Sequence, residues 1–493
     1  MGAVSLGFSN ERVRDIINSG LLRIEKDKKV NFMKTSIYRE QFKRLLLFCF
    51  AALIIVAEAY IYYRTWVDYY NEGMTRPLVF RGYLVIILVY VILLVALSNV
   101  YGAFKLGSHR VTDILFSQAL SLVIVNFVSY LQISLLHVSL VNPGPLLVAT
   151  LMEFCCIVIW ATMEQFVYAV LFPPHRTLMV YSDHDPDRLF KKMTKRRDRY
   201  NICGSIHVNE GIRTIMKEIR SGKYEAVILA DIPGSIRNDI IKNCFYYNIR
   251  VYMTPKISDV IISGGDTMHM FDTPLVLMRN RGLSFEQKIV KRLIDLVVSL
   301  LVLIIFLPFF LIIALCIKLY DGGPIFYTQR RLTKDGKVFK ILKFRSMKMD
   351  SEKKGARLAA KNDDRITPIG HIIRNIHVDE LPQLLNILKG DMSFVGPRPE
   401  RPEIAKQYLE TIPEFNFRLK VKAGLTGYAQ IYGKYNTTPY DKLKLDLYYI
   451  ENYSVLLDLR LILMTVKILF IKENSEGVDQ TQTTALTERK EKK

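Results

Sequence analysis

The feature that most restricts this chain is a set of apolar runs too long for a water-soluble core. Four segments, residues 45–63, 82–104, 114–136 and 146–172, each approach or exceed the ~20 residues that a helix needs to cross hydrocarbon. Basic residues flank them. Lys26, Lys28, Lys29, Lys34, Lys43 and Arg44 precede the first, Lys105 and Arg110 separate the second from the third, and a basic stretch follows Phe172. Four crossings that begin and end in the cytoplasm satisfy the positive-inside bias, although Arg64, Arg76 and Arg81 weaken it in the first external loop. Half the residues are hydrophobic while the formal charge is +21, a pairing that fits a membrane protein lying against anionic lipid and excludes a soluble nucleic-acid binder. Glu58, Glu153 and Glu164 fall within or near these segments, where an acid is either functional or bonded between helices or at an interface.

Residues 1–44 read as a basic cytoplasmic N-terminus without a cleavable signal, and Met33 is an alternative start. The six cysteines show no metal-ligand spacing, which suits a reduced, cytoplasm-facing chain. Pro173-Pro174 closes the helical region. From 176 to 278 short apolar strands alternate with amphipathic helices: strands at 177–181, 201–206, 226–230 and 250–252, and helices at 186–194, 211–221 and 237–247. That alternation predicts a doubly wound parallel sheet. Its first strand–helix turn, Tyr181-Ser182-Asp183-His184-Asp185-Pro186, has no glycine-rich cradle for a pyrophosphate, so a structural or regulatory role is expected.

A fifth apolar run, Leu296–Ile317, poses a conflict. If it crossed, the cations that follow, Arg330, Arg331, Lys334, Lys337, Lys340, Lys343, Arg345 and Lys348, would lie outside. Lys291-Arg292 and Lys318 flank both of its ends, and Pro308 removes a helix hydrogen bond in its middle. A re-entrant helix over 288–321, bent at Pro308 and returning to the cytoplasmic face, resolves the conflict. A third domain then runs over 322–472. Leu459–Ile471, with Arg460 and Lys467 among apolar residues, is expected on the membrane surface, and the polar tail 473–493 is expected to be disordered.

The densest motif runs from His377 to Glu400, H-V-D-E-L-P-Q-L-L-N-I-L-K-G-D-M-S-F-V-G-P-R-P-E. Leu381, Leu384, Leu385 and Leu388 recur at helical spacing and Gly390 ends the helix. The pair Asp379-Glu380 has two readings. One is helix capping. The other is chemical: one carboxylate a nucleophile, its neighbour a ligand for a divalent ion, and Arg398, fixed between prolines, a phosphate ligand.

This string resembles the signature of the bacterial sugar transferases, monotopic phosphoglycosyl transferases that act on polyprenol phosphate. Further motifs in the same order support the resemblance: Lys291-Arg292-Leu293-Ile294-Asp295, Gly323-Pro324-Ile325-Phe326-Tyr327 with Gln329 and Arg331, Lys343-Phe344-Arg345-Ser346-Met347, Gly424-Leu425-Thr426-Gly427 and Asp446-Leu447-Tyr448-Tyr449. It covers residues 285–472, and more loosely the whole chain, which looks like the large members with four membrane helices and a middle domain. Two departures are Leu307, where the family has serine before the proline, and Ala423, where it commonly has proline.

The resemblance implies an α/β catalytic domain with a re-entrant helix on the cytoplasmic leaflet of a bacterial inner membrane. It implies transfer of a sugar-1-phosphate from a UDP-sugar, with glucose and galactose the leading guesses, to undecaprenyl phosphate, the first membrane step of exopolysaccharide, capsule or O-antigen assembly. By the same resemblance Asp379 is the nucleophile, Glu380 binds Mg²⁺, and Arg331, Lys343, Arg345, Arg374 and Arg398 are phosphate ligands. Membrane lipid is the expected surroundings, nucleic acid is not a partner, and a homodimer is left open. Two other classes are a membrane-anchored nucleotide-sugar oxidoreductase, which lacks its dinucleotide fingerprint, and an export scaffold with a dead transferase domain, which the intact acid pair disfavours.

Overall fold

A computed structural model describes residues 41–469, apart from 72–73, 75–76, 106, 108, 183–185, 271, 279–281, 349–364 and 435–436. The expectations for 1–40, for the tail 473–493, for Arg76 and for the centre of the turn after the first strand lie outside the described residues. The chain divides into two compact units, Met1–Thr254 and Pro255–Lys493.

The first unit opens with four long helices, α1 (Gln41–Tyr70), α2 (Phe80–Tyr101), α3 (Val111–His137) and α4 (Gly144–Leu171). Each is long and apolar enough to cross a membrane. They pack through a mixed core: Tyr62, Trp66, Tyr90, Leu94, Val125, Ile133 and Leu146 form one cluster, and Ile54, Ile114, Leu122, Ile157 and Trp160 another. Their outward residues, such as Leu53, Leu88, Phe127, Leu151 and Phe166, are exposed, as lipid-facing positions would be. Glu58, Glu153 and Glu164 turn inward and are fully buried. Glu153 bonds between helices, accepting from Tyr90 of α2 and Asn126 of α3.

The α/β part follows as β1 (His175–Tyr181), α5 (Pro186–Thr194), β2 (Tyr200–His207), α6 (Ile212–Arg220), β3 (Ala226–Ala230), α7 (Gly234–Tyr246) and β4 (Arg250–Met253). The four strands pair in parallel in the order β2-β1-β3-β4, the doubly wound arrangement. Strand β3, Ala-Val-Ile-Leu-Ala, is buried throughout, as a central parallel strand covered on both faces must be. Where the strand order reverses, between β1 and β3, Ser182 donates to the Asp231 carbonyl at 2.7 Å.

The sheet ends at Met253, short of the expected boundary at 278. The next element, α8 (Ile257–Ser263), buries Ile257 and Val260 in the core of the second unit. Strands β5 (Asp266–Met270) and β6 (Thr273–Leu277) form an exposed antiparallel hairpin. Residues 257–278 read as sheet domain because their apolar spacing is strand- and helix-like, but α8 packs in the second unit and the hairpin pairs only with itself.

In the second unit α9 (Phe285–Asp321) begins at a Ser284–Gln287 capping box and continues through Pro308 as one helix. Its motif residues dock it. Lys291 pairs with buried Asp458 at 2.6 Å, Arg292 donates to the carbonyls of Ile387 and Leu388, and Asp295 accepts from Ser393 and the Phe394 amide. Val298, Val302 and Leu303 pack on the main core of this unit. Beyond the proline, Phe310, Ile313, Ala314 and Ile317 pack against Phe344, Ile369 and Ile373. Both arms of the helix therefore rest on the same domain.

The remaining elements are the antiparallel hairpin β7 (Phe326–Leu332) and β8 (Val338–Phe344), α10 (Pro368–Asn375), α11 (Gln383–Lys389), β9 (Ser393–Val395), α12 (Pro402–Thr411), β10 (Gly424–Thr426), α13 (Tyr428–Tyr432), α14 (Pro439–Glu451) and α15 (Val455–Leu469). Strands β9 and β10 pair in parallel. Helix α15 buries Asp458, Leu461 and Lys467, so Lys467 faces inward rather than outward as expected of a surface helix.

Candidate active site

Each part of the site hangs on a local device. Residues Val378–Glu380 form one 3-10 turn, entered through His377 in the left-handed region at φ 56°. The N-cap is His377, so Asp379 sits inside the turn and not at the cap position expected for it. Helix α11 then buries Gln383, Leu384, Asn386 and Ile387, and ends at Gly390 with φ 97°. The leucine stripe expected from spacing is only half realised. Asn386 takes a buried place because its side chain bonds both the Leu342 amide and the Lys340 carbonyl, tying α11 to β8.

That tie brings Lys343, on β8, to the acid pair. Lys343 Nζ lies 2.6 Å from Glu380 Oε1, and Arg398 Nη2 lies 2.9 Å from the same oxygen. The Glu380 carboxylate is 17% exposed, so these contacts are worth more than surface pairs. Burial alone would raise its pKa, but Arg398 and then Lys343 outweigh burial and hold it well below the ordinary carboxylate range. Asp379 behaves oppositely. It is buried, and its carboxylate accepts no hydrogen bond among the described residues. Burial raises its pKa, Lys343 opposes this, the Glu380 charge adds to it, and Arg374 and His377 oppose it. Two adjacent carboxylates thus have different environments, one neutralised and one without a bonded partner.

Arg374, in the last turn of α10, bears electrostatically on Asp379, and its side chain makes no hydrogen bond or ion pair among the described residues. Arg398 is half exposed and reaches the site from the Gly396-Pro397-Arg398-Pro399 turn. The structure places Arg331 behind this turn: Nη1 donates to the Pro399 carbonyl at 3.0 Å and Nη2 to Gln329 at 2.7 Å. Its guanidinium braces the loop that carries Arg398 rather than standing open beside Lys343. Arg345 is buried at the end of the hairpin, with its amide bonded to the Ile325 carbonyl.

One residue behind the site, Arg418, went unread in the sequence, and its partner Asp446 was read only as part of a motif. Arg418, 4% exposed, donates to the Arg398 carbonyl at 2.9 Å and pairs with buried Asp446 at 2.7 Å. Burial raises the Asp446 pKa to about 6 although Arg418 opposes it. The signal was available in part. Ile412, Phe415, Arg418 and Val421 are three residues apart, so in a 3-10 segment the arginine shares the apolar face. The glycines of the flanking motifs also gain a reason. A Cβ at Gly396, Gly424 or Gly427 would strike the backbone of the facing segment, so the two loops can approach only as glycine.

The donor set suits a magnesium ion. Both cations on Glu380 use Oε1, which leaves Oε2 for a further ligand, and Asp379 is adjacent. Magnesium is commonly held by one or two carboxylates, with water and substrate phosphate completing its shell. Among the described residues no group of three or more His, Cys, Asp or Glu could hold a metal by itself.

Residues 286–472 match the family model described as bacterial sugar transferase, and the chain belongs to that family. The exopolysaccharide production protein PSS of Rhizobium leguminosarum bv. phaseoli is 42% identical over 187 residues, 36% of this chain and 94% of that protein. The undecaprenyl-phosphate glucose phosphotransferase of Komagataeibacter xylinus is 37% identical over 347 residues, 62% of this chain and 64% of the relative. The UDP-glucose:undecaprenyl-phosphate glucose-1-phosphate transferase of Escherichia coli K12 is 33% identical over 262 residues, 52% of this chain and 56% of the relative. The matched region thus spans little more than half of the length of this E. coli relative.

Proposed function

We propose that this protein transfers a sugar-1-phosphate from a UDP-sugar to undecaprenyl phosphate, releasing UMP, through a phosphosugar carried on Asp379. The observation that carries the reading is the asymmetry of the acid pair. Glu380 is neutralised by Lys343 and Arg398, whereas the Asp379 carboxylate has no bonded donor and its basicity is raised by burial and by its neighbour's charge. A carboxylate with free lone pairs and raised basicity is the better nucleophile.

In the first step a carboxylate oxygen of Asp379 attacks the β-phosphorus of the donor, and the bond between that phosphorus and the bridging oxygen breaks. UMP leaves with the bonding electrons. In the second step a phosphate oxygen of undecaprenyl phosphate attacks the same phosphorus and releases Asp379 as a carboxylate. Arg374 and Arg398 orient the phosphate oxygens and offset their charge. Arg331 and Arg418 hold the Arg398 turn from behind through its carbonyls. A magnesium ion held by Glu380 would supply further charge neutralisation on the donor diphosphate.

The acceptor is a lipid, so the site belongs at a bilayer surface. We infer that α1–α4 cross the inner membrane and that α9 enters and leaves on the cytoplasmic face. The packing of residues 298–303 and of 310–317 on one domain supports this, because the two arms of a crossing helix would lie on opposite sides. The names of the relatives support undecaprenyl phosphate as acceptor and, for those named so, UDP-glucose as donor. The same reading places the step at the start of exopolysaccharide assembly. The test is to offer purified protein undecaprenyl phosphate with each of a panel of UDP-sugars. One lipid-linked phosphosugar should form with stoichiometric UMP, and Asp379→Asn should form none. Formation of a UDP product, or full turnover by Asp379→Asn, counts against the reading.

A further inference from the structure

The transferase site uses none of the acids buried among α1–α4. Glu58 on α1 and Glu153 on α4 are both fully buried, near the middle of their helices and close enough to interact electrostatically. Among the described residues of these four helices no lysine or arginine is buried to balance them.

The two acids are not equivalent. Donors occupy both oxygens of Glu153: the Tyr90 hydroxyl at 3.1 Å on Oε1 and Asn126 Nδ2 at 2.7 Å on Oε2. That pattern satisfies one lone pair on each of its oxygens. Neither oxygen of Glu58 has a hydrogen-bond partner. Gln118 on α3, itself fully buried, lies against Glu58, yet neither end of its amide completes a hydrogen bond. Asn126 Oδ1, on the amide that serves Glu153, is likewise unbonded. Two helices, α1 and α3, thus carry orphaned oxygens on Glu58 and on the amides that lie against Glu58 and Glu153. A second carboxylate beside the first in a low dielectric is very costly unless a positive charge joins it.

We propose that this cluster binds a hard metal cation, with the carboxylates of Glu58 and Glu153 and the amide oxygens of Gln118 and Asn126 as its ligands. All the donors are oxygens, and none is a thiolate or imidazole, which selects alkali or alkaline-earth ions over transition metals. Each oxygen of Glu153 keeps a second lone pair beside the hydrogen bond it accepts. The site is separate from Asp379 and Glu380, and its occupant ties α1, α3 and α4 together. Binding to the folded state alone stabilises it by mass action, so the melting temperature reports occupancy.

The experiment melts the full-length protein in nanodiscs at fixed pH and ionic strength, with MgCl₂ held constant for the catalytic pair. Choline chloride is replaced stepwise by NaCl, KCl or CaCl₂. One of these should raise the melting temperature by several degrees in a saturable way, and Glu58→Gln should abolish that rise while UMP release persists. If Glu58→Gln does not fold, Gln118→Leu keeps both acids and should shift the midpoint of the response at least tenfold to higher salt. Identical melting in all salts would overturn the proposal. So would an unchanged response in both variants, or stability that follows pH alone, which would mean that Glu58 simply carries a proton.

Discussion

Lys343 is the residue through which the two acids of the site are tuned, so its replacement by methionine is the most informative single change. Methionine keeps the length and apolar stem and removes the charge. The lost contact is a charge-assisted bond of 2.6 Å to Glu380, with both side chains largely shielded, 21% and 17% exposed. Bonds to charged groups contribute about 1.5–3 kcal/mol. If the Lys343 charge makes a bond of that strength to the donor phosphate in the transition state, its loss lowers kcat/KM about 10- to 150-fold at 1.4 kcal/mol per decade. The pH profile adds a second readout. Asp379 must be ionised to attack, and Lys343 is the largest influence lowering its pKa against burial. Removing that cation raises the Asp379 pKa, so the acid limb of kcat/KM should move to higher pH. Lys343→Arg retains the charge and should keep the limb near its original place. The assay is UMP release at subsaturating donor across the pH range, for wild type and both variants. The reasoning fails if the methionine variant loses activity without moving the limb, or if arginine moves it as far as methionine does.

Four further outcomes follow. Arg374→Ala should raise KM for the donor with stability within about 0.5 kcal/mol of wild type, because the side chain has no bonded partner to lose; kinetics and thermal melts check this. Asp446→Asn removes the charge 2.7 Å from buried Arg418 but leaves Glu400 at 3.7 Å, so the loss of stability should stay below the about 3–5 kcal/mol of an uncompensated buried charge, measured by denaturant melts at pH 7–8. Its sign with pH is also fixed. The folded pKa of Asp446, about 6, lies above the unfolded value of 3.8, so its contribution is fully present below 3.8 and is lost as pH rises through about 6, and the asparagine variant should lack that component. Ile257→Ala should cost about 2–4 kcal/mol in the catalytic unit, since α8 belongs to its core, and excision of 176–253 should be tolerated better than excision of 176–278. Lys318→Cys, in a background without other cysteines, should stay unlabelled by an impermeant thiol reagent outside intact cells; labelling there contradicts a re-entrant α9.

What could be read from the sequence was whatever local chemistry decides. The four parallel strands appeared within one or two residues of their expected places, because buried central strands such as 226–230 are continuously apolar. Lys343 and Arg398, read from the resemblance as phosphate ligands, both come to Glu380 in the fold. Arg331 shows the limit. A guanidinium near a phosphate site and one bracing a backbone carbonyl look alike in sequence, and only the fold turns it toward Pro399. The bond of Asn386 to β8, the pairing of Arg418 with Asp446, and the transfer of α8 to the catalytic core all join segments distant in sequence. No periodicity encodes such contacts.

The central claim is that Asp379 carries the sugar phosphate between donor and lipid. Mass spectrometry of protein quenched after mixing with its UDP-sugar and Mg²⁺, with no acceptor present, tests it most directly. A mass increase equal to one phosphosugar should map to the peptide holding Asp379, vanish on adding undecaprenyl phosphate, and be absent from Asp379→Asn. An adduct on Glu380, or turnover through a ternary complex with no adduct at all, would contradict the account.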